Sequence, residues 1–173
     1  MDWRNMSLDE IDRHILAVLQ EDADLAVTEV AARVGLSSTP CWKRIQKLKE
    51  DGIIQKQVVL CDPERLDLNT TVFVKISTNH HNEAWLQQFA QAVRDIPEII
   101  EVYRMGGDVD YLLRVVVRDI QGYDAVYKKL IQGCELHDVS ASFAMERIKY
   151  STALPLDLLA EPSARSRTER KHK

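Results

Sequence analysis

Apolar positions follow a helical period through roughly the first fifty residues and then change to the two-residue period of strands. Leu8, Ile11, Ile15 and Leu19, with Leu16, form one stripe, and Ser7-Leu8-Asp9-Glu10 has capping-box spacing. Together they predict a first helix from Leu8 to about Glu21. A second helix from about Thr28 places Val27, Val30, Ala31 and Val34 on one face. Gly35 ends it, Leu36 plugs the turn, and Ser37 is a natural cap for a third helix. In that third helix Cys41, Ile45 and Leu48 recur at i, i+4 and i+7, which fixes its buried side. At about 100° per residue, Thr39, Lys43, Gln46 and Lys47 then point outward, with Trp42 and Arg44 on the flanks.

After Gly52 the run IIQKQVVL is β-rich and ends at Cys61-Asp62-Pro63. It reads as a strand, either the wing of a winged helix or the lead into a linker. From Thr70 the pattern becomes βαββαβ. TVFVKIS is a strand, and a helix from about Asn82 to Arg94 aligns Trp85, Phe89 and Val93 before Pro97 stops it. A strand over Ile99–Met105 meets a Gly106-Gly107-Asp108 turn and a strand over Tyr111–Arg118. A helix over about Ile120–Gln132 turns Tyr123, Tyr127 and Leu130 inward, and a last strand covers about Val139–Lys149. Tyr111, Leu113, Val115 and Val117 alternate onto one face, yet Leu112 and Val116 are apolar too. Both faces of that strand are therefore expected to be covered, one by helices and one by a partner sheet.

The first three helices suggest chemistry as well as shape. Two short helices around a tight turn, with hydroxyls at the start of the second and cations along its outer face, suit phosphates at the helix N-terminus and base edges beyond. The candidate DNA-contacting residues are Thr28, Ser37, Ser38, Thr39, Trp42, Lys43, Arg44, Gln46 and Lys47. A plain solvated helix face is the alternative, and the coincidence of turn, hydroxyls and cations favours duplex DNA.

Charge sharpens that reading. The net charge is −4, but Ser37–Lys49 holds Lys43, Arg44, Lys47 and Lys49 with no acid, which confines contact with a polyanion to one face. A basic tail follows Leu159, with Arg165, Arg167, Arg170, Lys171 and Lys173 against Glu161 and Glu169 and no apolar period; it is expected to be disordered. With 45% apolar and 29% charged residues, no 18-residue apolar run and no signal-peptide core in Met1–Asp12, the expectation is a cytoplasmic protein without a membrane partner. Cys41, Cys61 and Cys134 have neither pairing parity nor CxxC spacing and read as reduced thiols. His80-His81 lack ligands at metal spacing, so neither a metal nor a cofactor is expected.

The segments LDEIDRHILAVLQ, VAARVGLSSTPCWKRIQKLKEDGII, YRMGGDVDYLLRVVV and SFAMERIKYSTALPL, in that order, resemble the Lrp/AsnC family of bacterial and archaeal transcriptional regulators over about Leu8–Leu156. The resemblance implies an α+β chain: an N-terminal winged helix-turn-helix joined to a ferredoxin-like βαββαβ domain for effector binding and oligomerisation. The corresponding boundaries are 1–55 for the helix-turn-helix, 56–69 for a connecting strand or linker, 70–157 for the ferredoxin-like domain and 158–173 for the basic tail. It implies a regulator that binds a palindromic operator as a homo-oligomer, a dimer or further a tetramer or octamer. It also implies an amino-acid effector held between subunits near the turn. Met105, Gly106, Gly107, Asp108, Asp110 and Tyr111 would line that site, with Ser140, Ser142 and Phe143 approaching from a neighbouring subunit. Serines and a Phe stand where leucine-responsive members carry bulky apolar residues. TPCWKR, His80-His81 and SFAMERIKY resemble the cysteine-responsive branch, which makes cysteine the implied effector.

Glycines let a ligand approach backbone N–H groups, and a carboxylate can receive an α-ammonium. The same Gly-Gly-Asp is also an ordinary hairpin turn, with Asp110 satisfying local amides. A regulator of the same family with another effector, or none, is the alternative. A small enzyme on a dimeric ferredoxin-like barrel is disfavoured because no nucleophile–base pair or metal cluster is evident. RNA binding through the sheet is disfavoured because Tyr103 and Tyr111 lack the RNP pattern.

Overall fold

The computed structural model describes residues 8–80 and 82–159, so Ser7, His81 and the basic tail after Leu159 lie outside the described residues. The chain divides into two compact units, Met1–Val59 with Lys149–Lys173, and Leu60–Ile148.

The first unit is a three-helix bundle of α1 (Glu10–Glu21), α2 (Val27–Arg33) and α3 (Ser38–Glu50). Its core is small: Ile15 and Leu16 of α1, Val30 and Ala31 of α2, and Cys41, Ile45 and Leu48 of α3. The helix ends follow local hydrogen bonding. Asp9 caps α1, its Oδ1 accepting from the Asp12 amide at 2.8 Å, so the helix begins at Glu10 rather than Leu8. At α2 the Glu29 carboxylate accepts from the Ala26 amide at 2.9 Å, leaving Ala26 as the cap and Thr28 inside the helix. Gly35, at φ 70°, makes the turn into α3.

The expected strand after Gly52 does not form among the described residues. The Ile53 and Ile54 amides instead both donate to the Leu48 carbonyl at 3.0 Å, closing the end of α3, and both side chains pack on the helical core. Beyond them Val58, Val59 and Leu60 are exposed, since a strand needs a partner edge and the described residues offer the segment none.

The second unit is a four-stranded antiparallel sheet in the order β2-β3-β1-β4, built from β1 (Thr70–Ser77), β2 (Ile99–Arg104), β3 (Tyr111–Val117) and β4 (Asp138–Phe143). Helices α4 (Glu83–Arg94) and α5 (Ile120–Gly133) cover one face. Val72, Val74 and Ile76 of β1 and Leu113, Val115 and Val117 of β3 meet Trp85 and Phe89 of α4 and Val126 and Leu130 of α5. The α5 stripe is Tyr123, Val126 and Leu130, so Tyr127, expected inside, lies on the outer side. The last strand stops at Phe143 rather than Lys149: β1 begins at Thr70, and its Thr71 carbonyl takes a final bond from the Ala144 amide. Residues 149–157, expected in the ferredoxin-like domain, belong to the first unit.

Candidate nucleic-acid interface and ligand site

Helix α3 presents a polar outer face because its apolar side is consumed by the core. Ser37 is its N-cap residue by backbone geometry, though its hydroxyl makes no capping bond within the chain. Ser38, Thr39, Trp42, Lys43 and Lys47 are exposed along α3, Gln46 is half-buried, and Thr28 is exposed on α2. Lys47 is 73% exposed and pairs with Asp51 one turn on, Nζ to Oδ2 at 2.8 Å, a bond that holds its ammonium above the ordinary lysine range. An exposed pair of this kind is worth little and yields readily to a phosphate.

Arg44, also among the expected DNA contacts, is bonded within the chain. Its Nη1 donates to Asp12 Oδ1 and to Asp9 Oδ2, both at 2.7 Å. These bonds raise its pKa further. Partial burial pushes the Asp9 carboxyl up, but the Asp12 amide and the Arg44 guanidinium together outweigh it and leave it below the usual carboxylate range. A guanidinium bonded to two carboxylates ties α3 to the start of α1. On the outer face of α3 this leaves Lys43 and Lys47.

In the second unit the β2–β3 connection closes through the Met105 amide on the Asp110 carbonyl at 2.8 Å, with Gly107 at φ 108°. Asp110 binds this turn to the end of β1. Its amide donates to the Ile76 carbonyl at 3.0 Å and its Oδ2 accepts from the Thr78 amide at 2.8 Å. Ser77 Oγ donates to the Asp108 carbonyl at 3.2 Å, and the His137 amide donates to the Ser77 carbonyl at 3.2 Å. Met105, Gly106, Gly107, Asp108 and Asp110 are thus gathered with Ser77 and Thr78 at one end of the sheet. Met105 and the two glycines are solvent-exposed there.

The other expected ligand residues divide between the two faces of the sheet. Ser140 pairs with Lys75 and Ser142 with Phe73, which puts both serines on the face away from the helices. Phe143 pairs with Val72 on the opposite face, its ring edge-on to Tyr123 with centroids 5.4 Å apart. Tyr111 also faces the helices. It is 8% exposed and packs between Trp85 and Phe89, with centroids 5.8 and 4.6 Å away. Its ring is core, which corrects its place in a site lining within one chain. Ser77 and Thr78 were missed by sequence reasoning, because only the β1–β3 register brings them to a turn about 30 residues away. A separate cleft of about 420 Å³ runs along the end of α5 and the start of β4, lined in part by Tyr127, Glu135, His137 and Asp138. No group of three metal-ligating side chains occurs among the described residues.

Residues 8–55 match a winged helix-turn-helix DNA-binding family and residues 71–154 match the Lrp/AsnC ligand binding domain. The chain is 47% identical over 151 residues to the DNA-binding transcriptional activator DecR of Escherichia coli, an alignment covering 87% of this chain and 99% of DecR. Its structure is similar to that of an AsnC family transcriptional regulator from Agrobacterium tumefaciens, with a TM-score of 0.86 and 56% identity over 88% of this chain and all of that one. A Neisseria meningitidis transcriptional regulator solved as a complex with L-Met is also similar, with a TM-score of 0.84 and 33% identity over 89% of this chain and all of that one. The helical unit and the sheet unit are therefore the DNA-binding and ligand-binding parts of a transcriptional regulator, and the chain belongs to the Lrp/AsnC family.

Proposed function

We propose that the protein reads a palindromic operator through α3 and changes its affinity for that operator when an amino acid, first among them L-cysteine, binds beside the β2–β3 turn. The observation that carries the DNA half is the contrast within α3. Cys41, Ile45 and Leu48 are buried, while Thr39, Lys43 and Lys47 are exposed on the opposite side. Lys43 and Lys47 supply phosphate contacts, Ser37, Ser38 and Thr28 add hydroxyls beside them, and Thr39, Trp42 and Gln46 face the groove.

The effector half rests on the turn. Gly106 and Gly107 leave backbone N–H groups open to a carboxylate, and Asp108 and Asp110 supply anions for an ammonium. L-Met bound to the Neisseria relative supports an amino acid as the class. The resemblance of TPCWKR and SFAMERIKY to the cysteine-responsive branch supports L-cysteine within it. Ser140 and Ser142, on the open sheet face, come to such a ligand from a second subunit, so the working form is a dimer or a larger even assembly. A regulator that binds the chromosome works in the cytoplasm, where Cys41, Cys61 and Cys134 stay free thiols.

The test is a thermal-shift screen of the full-length protein against the twenty amino acids, followed by operator binding with and without each hit. A ligand at 100 times its Kd adds about 2.7 kcal/mol of stability. L-cysteine is expected to shift the melt and alter operator affinity. A flat response to all twenty overturns the effector reading, and operator affinity unaffected by loss of both Lys43 and Lys47 overturns the DNA reading.

A further inference from the structure

The DNA-binding unit contains a piece of chain that its own sequence neighbours do not supply. After β4 the backbone leaves the sheet, and residues 149–159 join the three-helix unit. The side-chain amide of Gln20 forms a reciprocal pair with Leu154: Oε1 accepts from the Leu154 amide at 2.7 Å, and Nε2 donates to the Leu154 carbonyl at 3.2 Å. One primary amide, carrying a donor and an acceptor, thereby satisfies both backbone groups of one residue, as a neighbouring strand would. Leu156 packs on the cluster formed by Ile15, Leu16 and Val30. Arg13 Nη1 donates to the Leu159 carbonyl at 3.2 Å. Arg13 and Gln20 stand seven residues apart on α1, two turns along one face, so the segment is held along the helix rather than at a point.

We propose that residues 153–159 form a strap that is a structural member of the DNA-binding unit and transmits the state of the ligand-binding unit to it. Two observations join in this. The segment matching the ligand binding domain runs to residue 154, so by sequence the strap's start belongs to the ligand unit, while by packing it belongs to the DNA unit. The helix it grips is the one that Arg44 ties to α3 through Asp9 and Asp12. A ligand changes DNA affinity only if it favours one of two states of the element between them, and strap docked against strap released supplies two such states. Residues 144–152, outside any helix or strand, connect β4, which carries Ser140 and Ser142, to the strap. The transmission rests on the effector reading above; the structural membership does not.

The experiment uses full-length protein in four forms: wild type, Gln20→Ala, Leu156→Ala and the double variant. Hydrogen exchange tests membership without any ligand. Exchange at the Leu154 amide and along α1 is expected to accelerate on the order of tenfold in each single variant. The double variant is expected to be no faster than the worse single one, because a released strap has nothing further to lose. Wild-type exchange in Gln20→Ala and Leu156→Ala overturns the strap. Operator binding with L-cysteine tests transmission: the fold-change that L-cysteine produces in the wild type is expected to fall towards one in the variants, while its thermal shift persists. An undiminished fold-change overturns transmission. A wild type that responds to no amino acid counts against the effector reading alone, and hydrogen exchange then decides the strap.

Discussion

Arg44 and Lys43 are neighbours on one helix and should fail in different ways when removed. Arg44 is bonded to Asp9 and Asp12, and its side chain is 32% exposed, so losing it leaves two carboxylates near each other at the start of α1. Arg44→Ala is expected to destabilise the helical unit by about 1–2 kcal/mol, between the value of an exposed pair and that of a buried one. Lys43→Ala is expected to leave melting within about 0.5 kcal/mol and to weaken operator binding, with the salt slope falling by about 1 for each phosphate left without its lysine. Ile45→Ala, on the buried side, is expected to cost about 2–5 kcal/mol of stability. Melts and a salt series of operator binding on the three variants decide it; equal melting of Arg44→Ala and wild type would remove the tie between α3 and α1. The pair also has a pH signature. The Asp9 carboxyl sits below its ordinary value in the fold, so its stabilisation is present above the unfolded carboxylate pKa and is lost as pH falls through the lowered folded value. The stability gap between wild type and Asp9→Asn, in which Asn can still cap the helix, should therefore close in acid. Acid melts showing a constant gap would show that the charge on Asp9 contributes nothing.

At the scale of elements, the β2–β3 turn combines two tasks that one substitution can separate. Asp110 Oδ2 accepts from the Thr78 amide at 2.8 Å, so Asp110→Ala removes an anchor of the turn as well as a charge. Asp110→Asn keeps an acceptor for Thr78 while removing the anion that an α-ammonium would meet. The Asn variant is expected to melt within about 1 kcal/mol of wild type yet lose most of the L-cysteine shift, whereas the Ala variant loses both. If Asp110→Asn keeps the full ligand shift, the aspartate is a turn residue only. Most elements were legible in the sequence because periodicity reports burial directly: Cys41, Ile45 and Leu48 fixed the face of α3, and Trp85 with Phe89 fixed that of α4. Failures arose where a partner decides. IIQKQVVL has strand composition but no neighbouring edge among the described residues, and residues after Phe143 outrun β1. Arg44 looked like a free cation because Asp9 and Asp12 lie more than thirty positions away in sequence. The proposed site at the turn was half legible for the same reason. Gly106, Gly107 and Asp108 announce a turn, while Ser77 and Thr78 join it only through strand register.

At the scale of the whole molecule, the sheet face away from the helices points to assembly. Across it run Tyr103 beside Leu112 and Lys75, and Glu101 beside Arg114 and Phe73, with Val116 and Thr71 beyond. Tyr103 and Phe73 are 52% and 38% exposed, and no described element of the sheet unit covers them. Two of the charges on this face are already bonded to each other: Arg114 Nη1 donates to Glu101 Oε1 at 2.6 Å, and the Tyr103 hydroxyl donates to Glu101 Oε2 at 3.0 Å. A charge pair that enters an interface fully bonded avoids the penalty that an unpaired ion would bring. A second copy related by a twofold axis would place apolar surface on apolar surface and leave the pair satisfied. The wild-type protein is therefore expected to sediment as a dimer or larger at micromolar concentration. Phe73→Asp, which replaces apolar surface with an excess anion in the middle of that face, is expected to shift it towards monomer while the helical unit keeps its fold. It should also weaken operator affinity, because one chain engages only one half of a palindrome. Sedimentation velocity on both forms, with operator titrations beside it, is the measurement. A wild-type monomer would show that this face is not an interface between copies, and an unchanged assembly in Phe73→Asp would move the interface to another surface.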